Sequence, residues 1–245
     1  MTSASRPSDF QSRDEIINIL EELAPPELAE PFDAGKIGLV IEGKERIAKV
    51  STCLDVTFDV VRKAIENRTD LLIAHHTPIW TPLTAIGGED AKLFSLILHS
   101  EMNVYVMHTN WDHAPGGVND ILADILGMTD RENMSLGLVG SCSFKVHEIA
   151  QVLRAPLRIW GEVSGIQRLA IAAGSGFDSS LIMEAKSLGA DAFLSSELRH
   201  SVYRTSPLPL LESTHYALES PSMRVLAEEH GWEYIEDMPV LHSVS

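Results

Sequence analysis

Asp70-Leu71-Leu72-Ile73-Ala74-His75-His76 is the stretch on which the reading of this chain turns. The apolar run reads as a buried strand, and it ends in two imidazoles instead of a turn residue. Adjacent side chains of a strand point to opposite faces, so consecutive histidines converge only where the strand has ended and the backbone turns. Function sits at such strand ends in α/β sheets. Imidazole is also the commonest metal ligand.

Outward from this strand, helices and strands alternate. Upstream, Ser12-Arg13-Asp14-Glu15 has the form of a capping box, with Ile16, Ile19, Leu20 and Leu23 following at helical spacing. Pro25 and Pro26 stop that helix. Strands are predicted over 37–41 and 47–54, and a helix over 58–67. Downstream come a helix over 91–102, a strand over 104–107, and a helix over 118–126 with Gly127 suited to its C′ position. The second half reads as helix 146–153, strand 168–172, a tight Gly174-Ser175-Gly176 loop and helix 181–188. Strands over 192–194 and 208–211 and a helix over 223–230 follow. Residues 1–11 read as a loose tail, and 128–143 and 155–165 as connecting stretches. The alternation predicts an α/β fold.

An internal repeat supports two related α/β lobes, expected at residues 1–128 and 129–245, with the last segment packing back on the first lobe. At an offset of 121, Asp70 meets Asp191, Ile73 meets Leu194 and His76 meets Glu197. The next strand of each half runs into the same pattern, His108-x-x-x-Asp112 in one and His215-x-x-x-Glu219 in the other. Lobes related in this way place a site in the cleft between them.

The 245 residues carry a formal net charge of −16, a field that repels nucleic-acid backbones and anionic membranes. No direct DNA binding is expected. No apolar run is long enough to span a bilayer, and the first residues lack the apolar core of a signal peptide, so a cytoplasmic protein is expected. Cys53 and Cys142 stand far apart and form no CxxC motif.

The polar strand ends are His75, His76, His108, Asp112, Glu197, His215 and Glu219, a set of imidazoles and carboxylates without a thiolate. It is large enough for two ions. Its N/O character suits zinc, manganese, iron, cobalt or nickel better than calcium. Taken singly, each motif has a plainer reading: a histidine pair can cap a strand, and His-x-x-x-Asp is common. Their recurrence at matching strand ends favours metal. Gly174-Ser175-Gly176 lacks the last glycine of a phosphate-binding fingerprint and reads as a tight strand-to-helix turn. Trp80 and Trp111 flank the candidate site. Packing is the default for both, although either ring could stack a heterocycle.

Several of these segments together resemble the GTP cyclohydrolase 1 type 2 homologues, the Nif-three-like proteins. They are Cys53-Leu54-Asp55-Val56-Thr57, Asp70 through Ile79, His108-Thr109-Asn110-Trp111-Asp112 and Gly117-Val118-Asn119. Gly174-Ser175-Gly176, Gly189-Ala190-Asp191 and His215-Tyr216-Ala217-Leu218-Glu219 complete the set. The early segment Phe32-Asp33-Ala34-Gly35-Lys36-Ile37-Gly38-Leu39 is a variant of that family's Asp-Asn-Val-Gly-Leu, and Ser195-Ser196-Glu197 stands where Thr-Gly-Glu is frequent.

The resemblance implies a dinuclear divalent-metal site in the cleft between two α/β lobes. It implies the ligands His75, His76, Asp112, His215 and Glu219, with Glu219 bridging, and a homohexameric assembly. His108 and Glu197 are the candidate proton carriers. The function expected is a metal-dependent hydrolase acting on a small molecule through metal-activated water, of cyclohydrolase type on a nucleotide such as GTP. Phosphoester or amide hydrolysis is the near variant. The alternative is a non-enzymatic metal-handling or metal-stabilised interaction protein.

Overall fold

Leu71–Ala74 is the middle strand of a five-stranded sheet, and each of its four residues is buried. The computed structural model describes residues 10–163 and 165–242. The chain forms two units: Met1–Asn110 with Leu226–Asp237 (unit 1), and Trp111–Val225 with Met238–Ser245 (unit 2).

Unit 1 begins with β1 (Gln11–Ser12), α1 (Arg13–Leu23), β2 (Gly38–Ile41), β3 (Arg46–Ile47) and β4 (Val50–Cys53). It continues with α2 (Phe58–Glu66), β5 (Leu71–Ala74), α3 (Gly88–His99) and β6 (Asn103–Val106). β4, β5 and β6 are parallel neighbours, and β2 pairs antiparallel with β6. Parallel strands need crossovers, which α2 and α3 supply. Val60, Val61 and Ala64 of α2 and Phe94 and Ile97 of α3 share a core with Leu72, Ala74, Val104 and Val106. The capping box of α1 is closed in both directions between Ser12 and Glu15. Of the expected N-terminal tail, residues 1–9 lie outside the described residues, whereas Gln11 pairs with Ile47.

Unit 2 comprises α5 (Val118–Ile125), β7 (Thr129–Asn133), β8 (Leu138–Ser141), α6 (Val146–Leu153) and β9 (Arg158–Trp160), reached through the short helix α4 (Thr109–His113). β10 (Arg168–Ile171), α7 (Ser179–Ser187), β11 (Ala192–Ser195), α8 (His200–Thr205), β12 (Leu210–Glu212) and α9 (His215–His230) follow. Strand β13 (Glu233–Tyr234) belongs to unit 1, where it pairs parallel with β4. The unit 2 sheet runs β7-β8-β10-β11-β12-β9, with β10, β11 and β12 parallel and both flanks antiparallel. The stretches expected as connectors therefore contain sheet strands, with residue 164 outside the described residues. Helix α9 starts at His215 rather than at residue 223, because Pro221 lies inside it and does not end it.

The repeat has a physical counterpart in each unit. Asp70 Oδ2 accepts the backbone N–H groups of Ala48 (2.9 Å) and Lys49 (3.2 Å) at the entry to β4. Asp191 Oδ2 accepts those of Gln167 and Arg168, both at 2.9 Å, at the entry to β10. Each aspartate precedes the middle parallel strand and fixes the start of its neighbour. Burial pushes the Asp70 carboxyl up. The Lys44 ammonium at 2.9 Å and the two backbone donors outweigh that and hold it below the usual range.

A depressed folded-state value contributes stability above the unfolded value, about 4, that is lost as pH falls through the folded one. Asp70→Asn is expected to lower the urea midpoint near pH 7, with the difference from wild type shrinking below about pH 4. A difference that stays constant down to pH 2 would contradict this role.

Among the described residues, no helix is long and apolar enough to cross a membrane.

Candidate functional site

The carboxyl ends of β5 and β6 bring three imidazoles together in unit 1. His75 is buried, and its Nδ1 lies 2.8 Å from the Met107 carbonyl. His76 Nδ1 lies 2.7 Å from Asp55 Oδ1. His108 Nδ1 lies 2.8 Å from Asp33 Oδ2. Ring centroids are 4.9 Å apart for His75 and His76, 5.1 Å for His75 and His108, and 5.6 Å for His76 and His108. One ring nitrogen from each lies within 4.8 Å of the others, so the three could hold a metal ion. With Nδ1 bonded to an acceptor, the nitrogen left for a metal is Nε2. That is the usual support for a ligating histidine.

Burial lowers the His108 pKa to about 4, reinforced by the neighbouring His75 and His76 and opposed by Asp33. A neutral imidazole at pH 7 is what metal ligation or proton acceptance requires. Asp33 is fully buried in the short 3-10 turn Pro31–Asp33, and it also accepts the Thr109 N–H (3.1 Å) and hydroxyl. Sequence reasoning did not single out Asp33, because its partners lie 75 and 76 positions away.

Unit 2 presents an imidazole and carboxylates. The helical turn that begins α9 puts His215 and Glu219 on one face, with Nε2 and Oε2 2.7 Å apart. Glu197 Oε1 lies 2.7 Å from His215 Nδ1. Glu219 is buried and Glu197 exposed. Glu197 has φ +60°, an uncommon conformation for a residue with a Cβ. Its neighbours hold it there: Ser196 N–H donates to Gly174 O (3.1 Å), and Leu198 N–H to Glu212 Oε1 (3.1 Å).

The Gly174 carbonyl also accepts the hydroxyls of Ser195 (3.0 Å) and Ser196 (2.6 Å). A Cβ on Gly174, whose φ is +69°, would overlap Glu219 Oε1. The glycine loop is therefore a close-approach element against Glu219 rather than a phosphate cradle. Asn119 donates to the Asp112 carbonyl (3.0 Å) and accepts the Ala173 N–H (2.9 Å), tying the backbone of Asp112 to that loop. Cys53 and Cys142 are buried, which pushes both thiols up and away from nucleophilic use.

Residues 11–238 match the family Duf34/NIF3 (NGG1p interacting factor 3). The chain belongs to this family. A relative from Clostridium perfringens (strain 13 / Type A), named GTP cyclohydrolase 1 type 2 homolog, is 31% identical over 239 residues, covering 88% of this chain and 89% of its own. A protein of the same name from Pyrococcus abyssi (strain GE5 / Orsay) is 29% identical over 233 residues, covering 87% and 91%. Among solved structures, reduced HcgD from Methanocaldococcus jannaschii matches with TM-score 0.80 and 25% identity, over 92% of this chain and 97% of that one. A Bacillus cereus protein related to NIF3 shares the fold at TM-score 0.84 and 19% identity, over 96% and 100%.

Within this Duf34/NIF3 chain, the sequence-predicted residues fall into two sets. Unit 1 gathers His75 and His76 and adds His108, and the three together could hold a metal ion. Unit 2 lines up Glu197, His215 and Glu219 through one imidazole and carries Asp112 on α4. Asp55, Asp33 and Glu197 orient the rings. Asp55→Ala is expected to weaken metal affinity by about 10–100-fold with the fold retained, read by competition with a chromophoric chelator. Unchanged affinity would rule out an orienting role.

Proposed function

We propose that this protein is a metal-dependent hydrolase whose dinuclear centre uses His75, His76, Asp112, His215 and Glu219 as ligands, with Glu219 bridging. The observation that carries the reading is common to four imidazoles. His75, His76, His108 and His215 each have Nδ1 bonded to a carbonyl or carboxylate, at 2.7–2.8 Å, which makes Nε2 the nitrogen that would ligate. Four rings oriented alike by four different partners are hard to ascribe to packing alone. The donors fit N/O-ligated divalent zinc, iron, manganese, cobalt or nickel.

Such ions supply Lewis acidity and a lowered pKa for water. His108, held by Asp33, accepts or returns a proton at Nε2. Glu197 accepts from His215 Nδ1 at 2.7 Å, which orients that ring, and it is exposed and so placed to exchange a proton with solvent. The name of the relatives, GTP cyclohydrolase 1 type 2 homolog, supports a cyclohydrolase-type reaction on a nucleotide as the first chemistry to test. The homohexamer is part of this proposal.

The test is turnover by metal-loaded protein on GTP, read as formate release, beside phosphoester and amide panels, with chelator-treated and Glu219→Gln protein as controls. Turnover that needs both metal and Glu219 supports the reading. Metal-loaded protein without turnover on any panel would overturn it in favour of metal handling or a metal-stabilised interaction role.

A further inference from the structure

Two large aromatic rings stand open to solvent beside the imidazoles of unit 1. Phe32 is 56% exposed and Trp80 44% exposed. A single exposed aromatic is ordinary. These two are placed together by the site itself. The Trp80 ring meets His108 at 5.1 Å and 78°, and His76 at 6.2 Å. Phe32 meets the same His108 ring at 6.2 Å and 71°.

The Lys36 ammonium lies 5.8 Å from both aromatic centroids, within cation–π reach of each. Among the described residues Lys36 forms no ion pair. The placement has a backbone cause. Buried Asp33 binds His108 and Thr109, which anchors the turn carrying Phe32. Gly35 at φ +76° and the Lys36 N–H to Asp33 O bond (2.8 Å) then fold Lys36 back over the rings.

We propose that Phe32, Trp80 and Lys36 form a substrate subsite for a planar heteroaromatic ring bearing a phosphate, beside His76 and His108. The rings supply faces for stacking, which accept any base. The ammonium, a compact point charge on a flexible stem, exchanges its ring contacts for the phosphate. In a chain of net charge −16 an unpaired cation at this position selects for an anionic group. The subsite rests on the hydrolase reading for what becomes of the bound ring. Binding itself needs only these three side chains, so the two are tested separately.

The experiment is calorimetric titration of the metal-free full chain with GMP, guanosine and ribose 5-phosphate, for wild type, Trp80→Ala, Trp80→Phe, Phe32→Ala and Lys36→Ala. Each variant is checked for an unchanged thermal midpoint. GMP is expected to bind more tightly than either fragment. Trp80→Ala is expected to weaken GMP about tenfold, with Trp80→Phe recovering most of it. Lys36→Ala is expected to weaken GMP and ribose 5-phosphate but not guanosine. GMP affinity unchanged in both Trp80→Ala and Lys36→Ala, or no GMP binding at millimolar concentration, would overturn the subsite and leave the hydrolase reading standing. Ring- and cation-dependent GMP binding without any metal-dependent turnover would sink the hydrolase reading and leave the subsite.

Discussion

Gly174→Ala is expected to cost more stability than a glycine-to-alanine change of similar backbone conformation in open space, and to strip metal from the protein. Two effects add. The residue sits at φ +69°, where an L side chain costs roughly 1–2 kcal/mol. The new methyl would also overlap Glu219 Oε1 and lie 3.5 Å from His215 Nε2. Glu219 is 3% exposed, so its carboxylate cannot swing into solvent without opening the packing around it.

Gly231 provides the control, because at φ +67° it has nothing within 4 Å of an added Cβ. Gly231→Ala should carry only the backbone cost and keep its metal. Gly174→Ala should lose a further 1–3 kcal/mol or so in urea unfolding, as overpacking does, together with metal content. Equal losses in the two variants, with metal retained in both, would show that the close approach at Gly174 has no role.

Asp33→Ala is expected to destabilise unit 1 by about 2–6 kcal/mol, the cost of leaving two buried donors without an acceptor. Asp33 is fully buried and accepts from the His108 ring, the Thr109 N–H and the Thr109 hydroxyl. Alanine leaves the amide and the ring nitrogen without their acceptor, and each buried orphan costs roughly 1–3 kcal/mol. Asp33→Asn keeps one acceptor oxygen and should recover part of that loss.

The same change frees the His108 ring. Its Nδ1–H signal in 15N-edited spectra, held by the carboxylate in wild type, should disappear into exchange with water. A loss below about 1 kcal/mol with the ring signal unchanged would mean that Asp33 neither anchors the turn nor orients His108.

The parallel centres of both sheets were legible because their residues are buried on both faces and carry a continuous apolar signal. Leu71–Ala74 and Val146–Leu153 are found at their predicted bounds. Gly127, at φ +58°, sits just past the end of α5 as read. The antiparallel flanks were not legible. Thr129–Asn133 is exposed along its whole length, so β7 has no apolar periodicity to find, and β9 has only three residues. The start of α9 was hidden by Pro221, a residue that ordinarily marks a helix boundary.

The imidazoles and carboxylates of the site were readable because they follow strands, and the repeat doubled that signal. The pairings that orient them were not. Asp33 reaches His108 across 75 positions, and Glu197 reaches His215 through a left-handed backbone that no local sequence rule requires of a glutamate. Long-range pairing of this kind exists only once the sheet ends have been assembled.

The central claim is that the five residues His75, His76, Asp112, His215 and Glu219 hold a dinuclear metal centre. Elemental analysis of protein purified without added metal or chelator, wild type and Glu219→Gln side by side, tests it most directly. The account predicts about two transition-metal ions per chain in wild type and a clear deficit in the variant, with the same circular dichroism for both. A wild-type protein free of metal, or equal metal in the two proteins, would contradict it.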